Sequence, residues 1–532
     1  MTAIERYDAV VVGAGFAGLY MLHRLRRLGL TVRVIEAGSD VGGTWYWNRY
    51  PGARCDVESL EYGYQFDPEL QQTWSWSERY AAQPEILDYI RHVAERFDLR
   101  RDIVFTTRVD SAHFDDSTGD WLLTTDRGGR YHARFCIMAT GCLSVPAWPD
   151  IAGSESFAGT AYHTGRWPHE GVDFSGQRVG VIGTGSSAIQ SIPIIAEQAA
   201  ELFVFQRTPN FSVPAQNEPM DRELEADVKA SYADFRARNA QMQSAFGARH
   251  PRSEASALLA TESERQRQFE HHWQLGGLLF LRAYGDLLVN PEANELACDF
   301  IRDKIRGIVR DPQVAEKLLP DSVVGCKRLC ADSGYFETFN RPHVHLVDLR
   351  ESPIEYIHPD GIRQGGRDYP LDALVFATGF DAMTGALARI DIRGRKGMTL
   401  SERWQDGPRT YLGLQVAGFP NLFTITGPGS PSVLTNMLYS IEQHVDWITN
   451  CVADLRRRGV TTIEPEPQAE TAWVEHVNAM ADRTLFTHCN SWYLGANVPG
   501  KPRVFMPYLG FPEYVARCNE IRDRGYQGFR LR

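Results

Sequence analysis

The sequence predicts an α/β fold made of two Rossmann-like units, with a helical insertion in the second. Two observations predict the units: a β-branched run, a glycine-rich turn and an amphipathic stretch follow one another near the N-terminus and again near residue 180. A third observation, the charge-rich segment 215–320 with apolar residues at helical spacing, predicts the insertion. At 532 residues the chain is longer than one ordinary core requires, so more than one folded unit is expected.

The first unit lies in residues 7–38. A β-branched run leads into the turn Gly13-x-Gly15-x-x-Gly18, and after a helical stretch a second strand ends at Glu36. The glycines allow a tight turn and let the backbone approach a pyrophosphate at the N-terminus of the helix. Glu36, 23 residues after Gly13, is placed to accept hydrogen bonds from the two hydroxyls of an adenosine ribose. The unit therefore predicts a dinucleotide site.

Residues 178–208 repeat this arrangement with the opposite charge at the end. A strand leads into Gly183-x-Gly185, and after a helix a second strand is followed by Arg207 and Thr208. A guanidinium pairs with the 2′-phosphate of NADP, which a carboxylate would repel, so this site favours NADP over NAD. Taken alone, Arg207 would be only a solvated charge at a strand end. The expected contacts around the turn are Gly183, Thr184, Gly185, Ser186, Ser187 and Gln190.

Two units of opposite charge preference imply one tightly held flavin adenine dinucleotide (FAD) and one exchangeable NADPH, with hydride passing from nicotinamide to flavin. Two strands ending in Ala-Thr-Gly, at residues 135–141 and 374–379, mark where the chain leaves each unit. A Gly/Pro turn near residue 428 leads into a helix expected from about Val433. The predicted domains are an FAD-binding domain (1–145 and 380–532), an NADP-binding domain (155–214 and 321–379) and a helical insertion in the latter (215–320).

The insertion begins with one predicted amphipathic helix. Leu224, Val228, Tyr232 and Phe235 recur on a single helical face, as expected for a helix that covers the edge of a core. This helix would either line a substrate pocket or serve as a plain lid.

Composition and charge exclude several classes. The net charge of −11 argues against nucleic-acid binding, which depends on a basic surface. The longest apolar stretch, residues 275–289, is interrupted by Arg282 and Asp286, so no transmembrane helix is expected. Without an apolar leader at the N-terminus, the protein is expected in the cytoplasm.

The number and spacing of the cysteines argue against a disulfide framework, a metal site and a disulfide reductase. Nine cysteines at irregular spacing predict a reduced protein without a disulfide framework, and no metal site is expected. No Cys-x-x-Cys or Cys-x-x-x-x-Cys pair exists, which excludes a disulfide reductase and leaves dioxygen as the electron acceptor.

Two more segments resemble the signatures of a known family, the Baeyer-Villiger monooxygenases. FAGTAYHTGRWP, between the two units, resembles the family's fingerprint, and GGTWYWNRYPGARCD resembles its other signature. The matching residues are Phe157, Gly159, His163, Trp167 and Pro168 in the first, and Gly42, Gly43, Trp45, Tyr50, Pro51, Gly52 and Asp56 in the second. The resemblance covers nearly the whole chain, including QRTPN, CKRLCADSGYFETFNRPHVHLVD, ITGPGSPS and SWYLGANVPGK, and is nearest the branch of phenylacetone and steroid monooxygenases.

The resemblance implies a ketone oxygenase that inserts one oxygen atom beside the carbonyl and gives an ester or lactone. In such enzymes NADPH reduces FAD, oxygen adds to the flavin as a C4a-peroxide, and this peroxide attacks the ketone. An arginine, always protonated at working pH, is suited to hold both that anion and the developing oxyanion. Arg328 matches the family's active-site arginine, and Asp56 matches the carboxylate that orients it. The resemblance also suggests a monomer.

Further contacts are implied by the same resemblance. Lys327, with Arg207 and Thr208, matches the contacts to the 2′-phosphate. Trp492 resembles a tryptophan that contacts nicotinamide or substrate from a mobile loop, although a packing anchor is an equal alternative. The matches around the flavin are Thr44, Trp45, Tyr46, Trp47, Tyr62 and the backbone at Val109, and Met437 is a candidate for the substrate pocket.

Several alternatives stay open. We interpret His163 as a fixed connection on the linker rather than an acid or base, because its segment carries no nucleophile or carboxylate; a plain buried histidine is the alternative. Without their motifs, Arg328 and Asp56 would be an ordinary surface ion pair. Two other functions are an N- or S-hydroxylating flavin monooxygenase and a non-catalytic NADPH or redox sensor, which would not need Arg328.

Overall fold

Two separate β-sheets with helices packed around them form the framework of the protein. The structure is a computed structural model that describes residues 4–532. Both sheets contain parallel strands followed by helices, so the α/β class predicted from the sequence is confirmed. The strands are β1 (Glu5–Val12), β2 (Val32–Ile35), β3 (Ile103–Val104), β4 (Val109–Asp115), β5 (Asp120–Thr125), β6 (Arg130–Met138), β7 (Thr160–His163), β8 (Arg178–Ile182), β9 (Glu201–Gln206), β10 (Ser212–Pro214), β11 (Cys330–Asp332), β12 (Val344–Asp348), β13 (Ile354–His358), β14 (Gly361–Gln364), β15 (Arg367–Pro370), β16 (Ala373–Phe376), β17 (Asp391–Arg393), β18 (Leu422–Thr424), β19 (Ile463–Pro465) and β20 (Phe529–Leu531).

Sixteen α-helices connect or cover these strands in the described part of the chain. They are α1 (Phe16–Arg27), α2 (Thr44–Trp47), α3 (Pro68–Thr73), α4 (Gln83–Arg96), α5 (Ser186–Gln198), α6 (Arg222–Ala230), α7 (Tyr232–Ala240), α8 (Glu262–Leu275), α9 (Pro291–Ile308), α10 (Pro312–Leu318), α11 (Tyr335–Thr338), α12 (Gly385–Ala388), α13 (Leu400–Arg403), α14 (Met437–Arg458), α15 (Pro467–Ala481) and α16 (Phe511–Asp523).

The first sheet is built around the N-terminal strand. Its order is β17-β4-β5-β6-β1-β2-β3, and β18 also pairs with β6. β1 runs parallel to both β2 and β6, and its last four residues are buried, as expected for a central strand covered on both faces. The first glycine-rich turn therefore leaves the carboxyl end of a central strand, where α/β proteins bind their ligands.

The second sheet has the order β12-β9-β8-β16-β7, and all its pairings are parallel. The observed bounds of β8, Arg178–Ile182, are those predicted from the sequence. Thr160–His163 is an edge strand that pairs with β16 from Thr160 opposite Ala373 to His163 opposite Phe376. The fingerprint segment is thus not simply a linker, because part of it belongs to this sheet.

A short two-stranded sheet lies at the two ends of the segment predicted as a helical insertion. β10 and β11 pair in parallel across it, from Ser212 opposite Cys330 to Pro214 opposite Asp332. The single amphipathic helix predicted from Leu224 to Phe235 is wrong in one respect, since α6 and α7 are separate helices that meet at Ser231 (φ −136°). The predicted apolar face is retained because Val228, Tyr232 and Phe235 are buried.

The prediction of a fully reduced protein is also contradicted. Cys326 and Cys489 form a disulfide with their Cα atoms 6.1 Å apart. The two cysteines are 163 residues apart in sequence, which is why spacing along the chain does not reveal the pair. The other seven cysteines are free and buried.

Within residues 4–532, none of the helices combines the length and apolar character that a bilayer crossing demands. In the same range, no three or more His, Cys, Asp or Glu side chains are grouped so that they could hold a metal ion.

Candidate active site

The first glycine-rich turn is packed so closely that side chains are excluded. Gly13 has φ +105°, and a Cβ there would lie 2.5 Å from the Ala139 carbonyl oxygen. A Cβ on Gly18 would lie 1.8 Å from the carbonyl oxygen of Gly13. Glu36, at the end of β2, accepts hydrogen bonds from the amides of Ala14 and Gly38 (both 2.6 Å). The Glu36 carboxylate can still accept further hydrogen bonds, and it lies beside the N-terminus of α1. The turn therefore fits the adenosine and pyrophosphate of FAD.

The second turn repeats this backbone geometry. Gly183 has φ +114°, and a Cβ there would lie 2.5 Å from the Ala377 carbonyl oxygen, whereas Gly185 at the start of α5 has open space around it. The Thr184 hydroxyl donates to the Thr208 carbonyl oxygen (2.8 Å), which ties the turn to the end of β9. Ser186 and Ser187 occupy the first turn of α5. This open helix N-terminus is suited to a pyrophosphate.

Two cations lie close together beyond this turn. Arg207 follows β9 and is exposed, and Lys327 lies on the returning segment before β11. Burial lowers the pKa of Lys327, and the neighbouring Arg207 lowers it further, while Asp321 acts in the opposite direction. A pair of cations that repel each other is suited to a doubly charged 2′-phosphate, which would relieve that repulsion. The residues present therefore fit NADP.

Arg328 is held by groups from the first unit. Its Nε donates to Asp56 Oδ2 (2.9 Å) and its Nη2 to Asp56 Oδ1 (2.8 Å), while its Nη1 donates to the Val433 carbonyl oxygen (2.8 Å). The Arg328 side chain is 22% exposed and the Asp56 side chain 28%. Burial opposes the charge of Arg328, but Asp56 outweighs burial and raises the pKa of the guanidinium. The ion pair expected from the sequence is thus a bidentate, permanently charged group between the two units.

The signature that ends at Asp56 runs from one unit to the other. Tyr50 donates to Gln190 Oε1 (2.8 Å), and Gln190 Nε2 donates to the Arg54 carbonyl oxygen (3.2 Å). A Cβ on Gly52 (φ +78°) would lie 2.3 Å from the Gln190 carbonyl oxygen, so this glycine allows close packing against α5. The signature residues therefore position Asp56 against the second unit.

Aromatic side chains pack beside the first turn. Trp45 and Tyr46 are buried in short helix α2, and Trp47 is half-buried. Trp45 Nε1 donates to the Tyr62 hydroxyl (3.2 Å), and the Trp45 carbonyl oxygen accepts from Gln83 Nε2 (2.5 Å). Of the other flavin candidates, Thr44 begins α2 and Val109 begins β4. The four aromatic residues lie in or beside one apolar core cluster, whereas Val109 belongs to another, and cofactor contact remains a prediction for each candidate.

His163 connects three segments of the chain. Its Nδ1 accepts from the Gly165 amide (3.0 Å), and its Nε2 lies 3.3 Å from the Thr378 hydroxyl, which donates to the Ala147 carbonyl oxygen (2.7 Å). Burial lowers the pKa of His163 to about 4, so the imidazole is neutral at neutral pH. The Trp148 ring lies against it at 4.9 Å between centroids. Residues 147 and 378 lie where the chain passes between the units, so this geometry supports a connecting role.

Other fingerprint residues anchor the same segment. Trp167 is buried and packs in the core of the second unit, with its ring 5.4 Å from Tyr162. Phe157 packs against the adjacent apolar cluster, and a Cβ on Gly159 would lie 2.3 Å from the Asp372 carbonyl oxygen. Pro168 follows Trp167 directly and is half-buried.

The segment with Trp492 lies near Arg328. Trp492–Leu494 forms a single 3₁₀ turn, in which the Trp492 and Tyr493 rings are 4.3 Å apart between centroids. Tyr493 is buried; burial raises the pKa of its hydroxyl to about 12, although the neighbouring Arg328 acts in the opposite direction. Met437, the first residue of α14, is half-buried and lies four residues after Val433. The predicted helix start near Val433 corresponds to a separate 3₁₀ turn, Ser432–Leu434.

Sequence reasoning missed three groups at this junction: Thr378, Tyr493 and the Cys326–Cys489 disulfide. Tyr493 follows Trp492 directly, so the resemblance in that segment was a usable signal. Neither the hydroxyl–imidazole contact nor the disulfide has a local signature in the sequence.

Comparison with known proteins decides the family. Residues 10–265 match the family model described as pyridine nucleotide-disulphide oxidoreductase. A Baeyer-Villiger monooxygenase of Pseudooceanicola batsensis is 43% identical over 98% of this chain and 95% of its own. The chain belongs to the Baeyer-Villiger monooxygenase family. It is therefore an NADPH-dependent flavin monooxygenase whose cofactors are FAD and NADP, as the two glycine-rich units indicate.

Two further relatives of this Baeyer-Villiger monooxygenase have names that refer to other substrates. A structure described as oxidized steroid monooxygenase bound to NADP has 54% sequence identity and a TM-score of 0.94, with 99% of each chain covered. A phenazine N-monooxygenase of Lysobacter antibioticus is 42% identical over 99% of this chain and 97% of its own. These relatives thus carry names for different oxygen-transfer substrates.

Proposed function

We propose that the protein oxidises ketones to esters or lactones, with NADPH and O2 as co-substrates. The observation that carries this proposal is the Arg328 guanidinium, fixed between the two nucleotide units by both carboxylate oxygens of Asp56. When bound, reduced FAD supplies the oxygen-activating chemistry. The protein must supply a permanent positive charge where anionic oxygen develops, and Arg328 is the residue suited to that task.

Asp56 and Val433 position Arg328 rather than reacting themselves. Two bonds to the carboxylate set the plane of the guanidinium, and the third, to the Val433 carbonyl oxygen, sets its rotation. All three of these acceptors come from the first unit, whereas Arg328 lies on the second. The charge is therefore in place only when the two units are packed as described.

His163 and Trp492 have supporting roles in this proposal. Neutral His163 connects the Gly165, Thr378 and Ala147 segments, so we assign it to holding the two units in register. His163→Ala is expected to retain FAD but to release hydrogen peroxide in place of ester, because reduction and oxygen transfer need different placements of nicotinamide. Equal amounts of NADPH consumed and ester formed in this variant would contradict the role. Trp492 and Met437 are assigned to the nicotinamide and substrate side of the site.

The domain division proposed from the sequence is supported by strand membership. The strands of the first sheet come from residues 5–138, 391–393 and 422–424, and those of the second from residues 160–206 and 344–376. The pairing of β10 with β11 supports an insertion at 215–320. We further propose a cytoplasmic monomer that takes small-molecule substrates and binds neither nucleic acid nor membranes.

The experiment uses the yellow holoenzyme with NADPH in air and a panel of linear, cyclic, aromatic and steroid ketones. Products are followed by mass spectrometry, and NADPH consumption by absorbance. We expect esters or lactones heavier than the ketone by one oxygen atom, in amounts that match NADPH. Hydrogen peroxide with every ketone, together with oxidation of amines or sulfides, would overturn the proposal.

N-oxygenation is a second candidate because of the phenazine N-monooxygenase relative. The same panel therefore includes a phenazine and an aryl sulfide. Turnover of the phenazine above that of every ketone would favour this candidate, whereas weak sulfoxidation beside strong ester formation would not.

A further inference from the structure

A disulfide joins two segments that both lie at the candidate active site. Cys326 begins the run Cys326-Lys327-Arg328, and Cys489 lies three residues before Trp492. The cross-link therefore fastens the segment that carries Arg328 to the segment that carries Trp492 and Tyr493. We call residues 489–502 the C-terminal loop.

The far end of the C-terminal loop is held by polar contacts. Lys501 Nζ donates to Asp381 Oδ1 (2.6 Å) and to the Ala382 carbonyl oxygen (2.7 Å), and Asn497 Nδ2 donates to the Phe380 carbonyl oxygen (2.6 Å). Between these contacts and Cys489, the loop contains one 3₁₀ turn and is otherwise irregular. The disulfide is thus the covalent attachment at the near end.

The position of this loop matters to Arg328. Tyr493 is 1% exposed and lies close enough to Arg328 that each influences the ionisation of the other. The Met506 amide donates to the Tyr493 carbonyl oxygen (3.0 Å), which fixes the backbone at this point. Release of the near end would let Tyr493 and Trp492 move away and admit water beside Arg328.

The two sulfur atoms differ in accessibility. Cys326 is 1% exposed, whereas Cys489 is half-buried and is flanked by exposed His488 and Asn490. An external thiolate can therefore attack Cys489 Sγ, and the electrons of the broken S–S bond leave on Cys326 Sγ. Half-exposure makes this disulfide a candidate for exchange rather than a purely structural bond.

We propose that Cys326–Cys489 is a thiol–disulfide modification site that controls whether the C-terminal loop is held over Arg328. A dithiol reductant opens the bond in two exchanges: its first thiolate forms a mixed disulfide with Cys489, and its second thiol displaces Cys489 Sγ. The reductant leaves as a disulfide, and both protein sulfurs end as thiols. Disulfides in cytoplasmic proteins are usually redox-responsive, which agrees with this role.

Closure of the bond needs an oxidant of the peroxide class. Hydrogen peroxide takes two electrons and two protons from the two thiols, giving the disulfide and two molecules of water. Uncoupled NADPH oxidation by a flavin monooxygenase releases hydrogen peroxide, so an open loop that leaks peroxide would promote its own closure. The effect on ester yield rests on the proposed function, but the chemistry of the two cysteines does not.

The test compares the air-oxidised holoenzyme with the same protein after dithiothreitol. Intact mass and iodoacetamide labelling count the opened thiols, with the seven buried free cysteines as an internal control because they should stay unlabelled in the folded protein. Hydrogen–deuterium exchange reports on the C-terminal loop. We expect two labelled thiols, Cys489 and, once the released loop uncovers it, Cys326. We also expect about tenfold faster exchange in residues 489–502 and a lower yield of ester per NADPH.

Cys489→Ser provides the permanently open form. It should match the reduced wild type in exchange and in ester yield, and dithiothreitol should change neither. Absence of the bond under air, or opening without faster loop exchange, would overturn the modification site. Faster exchange in a protein that forms no ester in either state would instead overturn only the proposed function. If Cys489→Ser fails to fold, the wild-type comparison decides by itself.

Discussion

Asp56→Asn gives the most direct test of how the protein holds its active-site charge. Asp56 accepts two hydrogen bonds from Arg328, at 2.8 and 2.9 Å, and both side chains are less than one-third exposed. An asparagine keeps one oxygen acceptor and turns an amide donor toward the guanidinium. The variant therefore loses at least one charge-assisted bond, although Arg328 still donates to the Val433 carbonyl oxygen.

The size of the effect follows from that lost bond. A hydrogen bond to a charged group contributes about 1.5–3 kcal/mol, and each 1.36 kcal/mol corresponds to a tenfold change in rate. We therefore expect kcat/KM for ester formation to fall by roughly 10- to 150-fold. The rate of anaerobic FAD reduction by NADPH should change by less than about twofold, because we assign Asp56 to the oxygen-transfer step and not to hydride transfer from nicotinamide.

A matched control exists on the second unit. Asp372 also binds an arginine with both oxygens, accepting from Arg178 Nη2 (2.8 Å) and Arg178 Nε (3.0 Å), but this pair lies at the start of β8. Stopped-flow reduction and product analysis are run on Asp56→Asn and Asp372→Asn in parallel. Wild-type ester formation in Asp56→Asn, or an equal loss in Asp372→Asn, would refute the positioning role.

Three other predictions concern the cofactors and the pH dependence of stability. Gly18→Ala should lose FAD, measured by the ratio of flavin to protein absorbance, because its Cβ would lie 1.8 Å from the Gly13 carbonyl oxygen; Gly307→Ala, with open space around it, should keep FAD. Arg207→Ala should lower kcat/KM for NADPH by roughly 10- to 100-fold and leave NADH nearly unaffected; an equal loss with both would contradict the 2′-phosphate contact. Burial raises the pKa of Glu442 to about 7. This pKa lies above that of the unfolded chain, so the protonated Glu442 stabilises the fold at low pH, and this stabilisation is lost as the pH rises to about 7. In denaturant unfolding, the wild type should therefore lose about 2 kcal/mol more free energy of unfolding than Glu442→Gln between about pH 5.5 and 8. Equal losses in the two proteins would refute the assignment.

The framework of the protein was predictable because its signals are local. A glycine with positive φ between a strand and a helix belongs to a motif of only four or five residues. Both turns are found where the sequence predicts them. The charge at the end of each second strand is equally local, as Glu36 and Arg207 show. The resemblance to the family then pointed to Arg328 and Asp56, which the structure brings together.

Two of the errors share one physical cause, which is contact between residues distant in sequence. Thr160–His163 forms a strand only because β16 offers an edge about 200 residues later. Cys326 pairs with Cys489 across 163 residues, so irregular spacing gave no warning of the disulfide. The break at Ser231 is different: the apolar period continues through it, and periodicity alone does not register a change of helix axis.

The contacts that hold Arg328 and the signature segment cross between the two units, and this constrains how the enzyme can work. Arg328 reaches Asp56 and Val433, and Tyr50 reaches Gln190. Each of these contacts consists of a few directional hydrogen bonds, so a small relative movement of the groups that they join would remove the alignment of the charge. This arrangement makes the placement of the Arg328 charge depend on how the two units are packed. It also predicts that substitutions at these contacts impair ester yield more than flavin reduction, whichever unit carries the substituted residue.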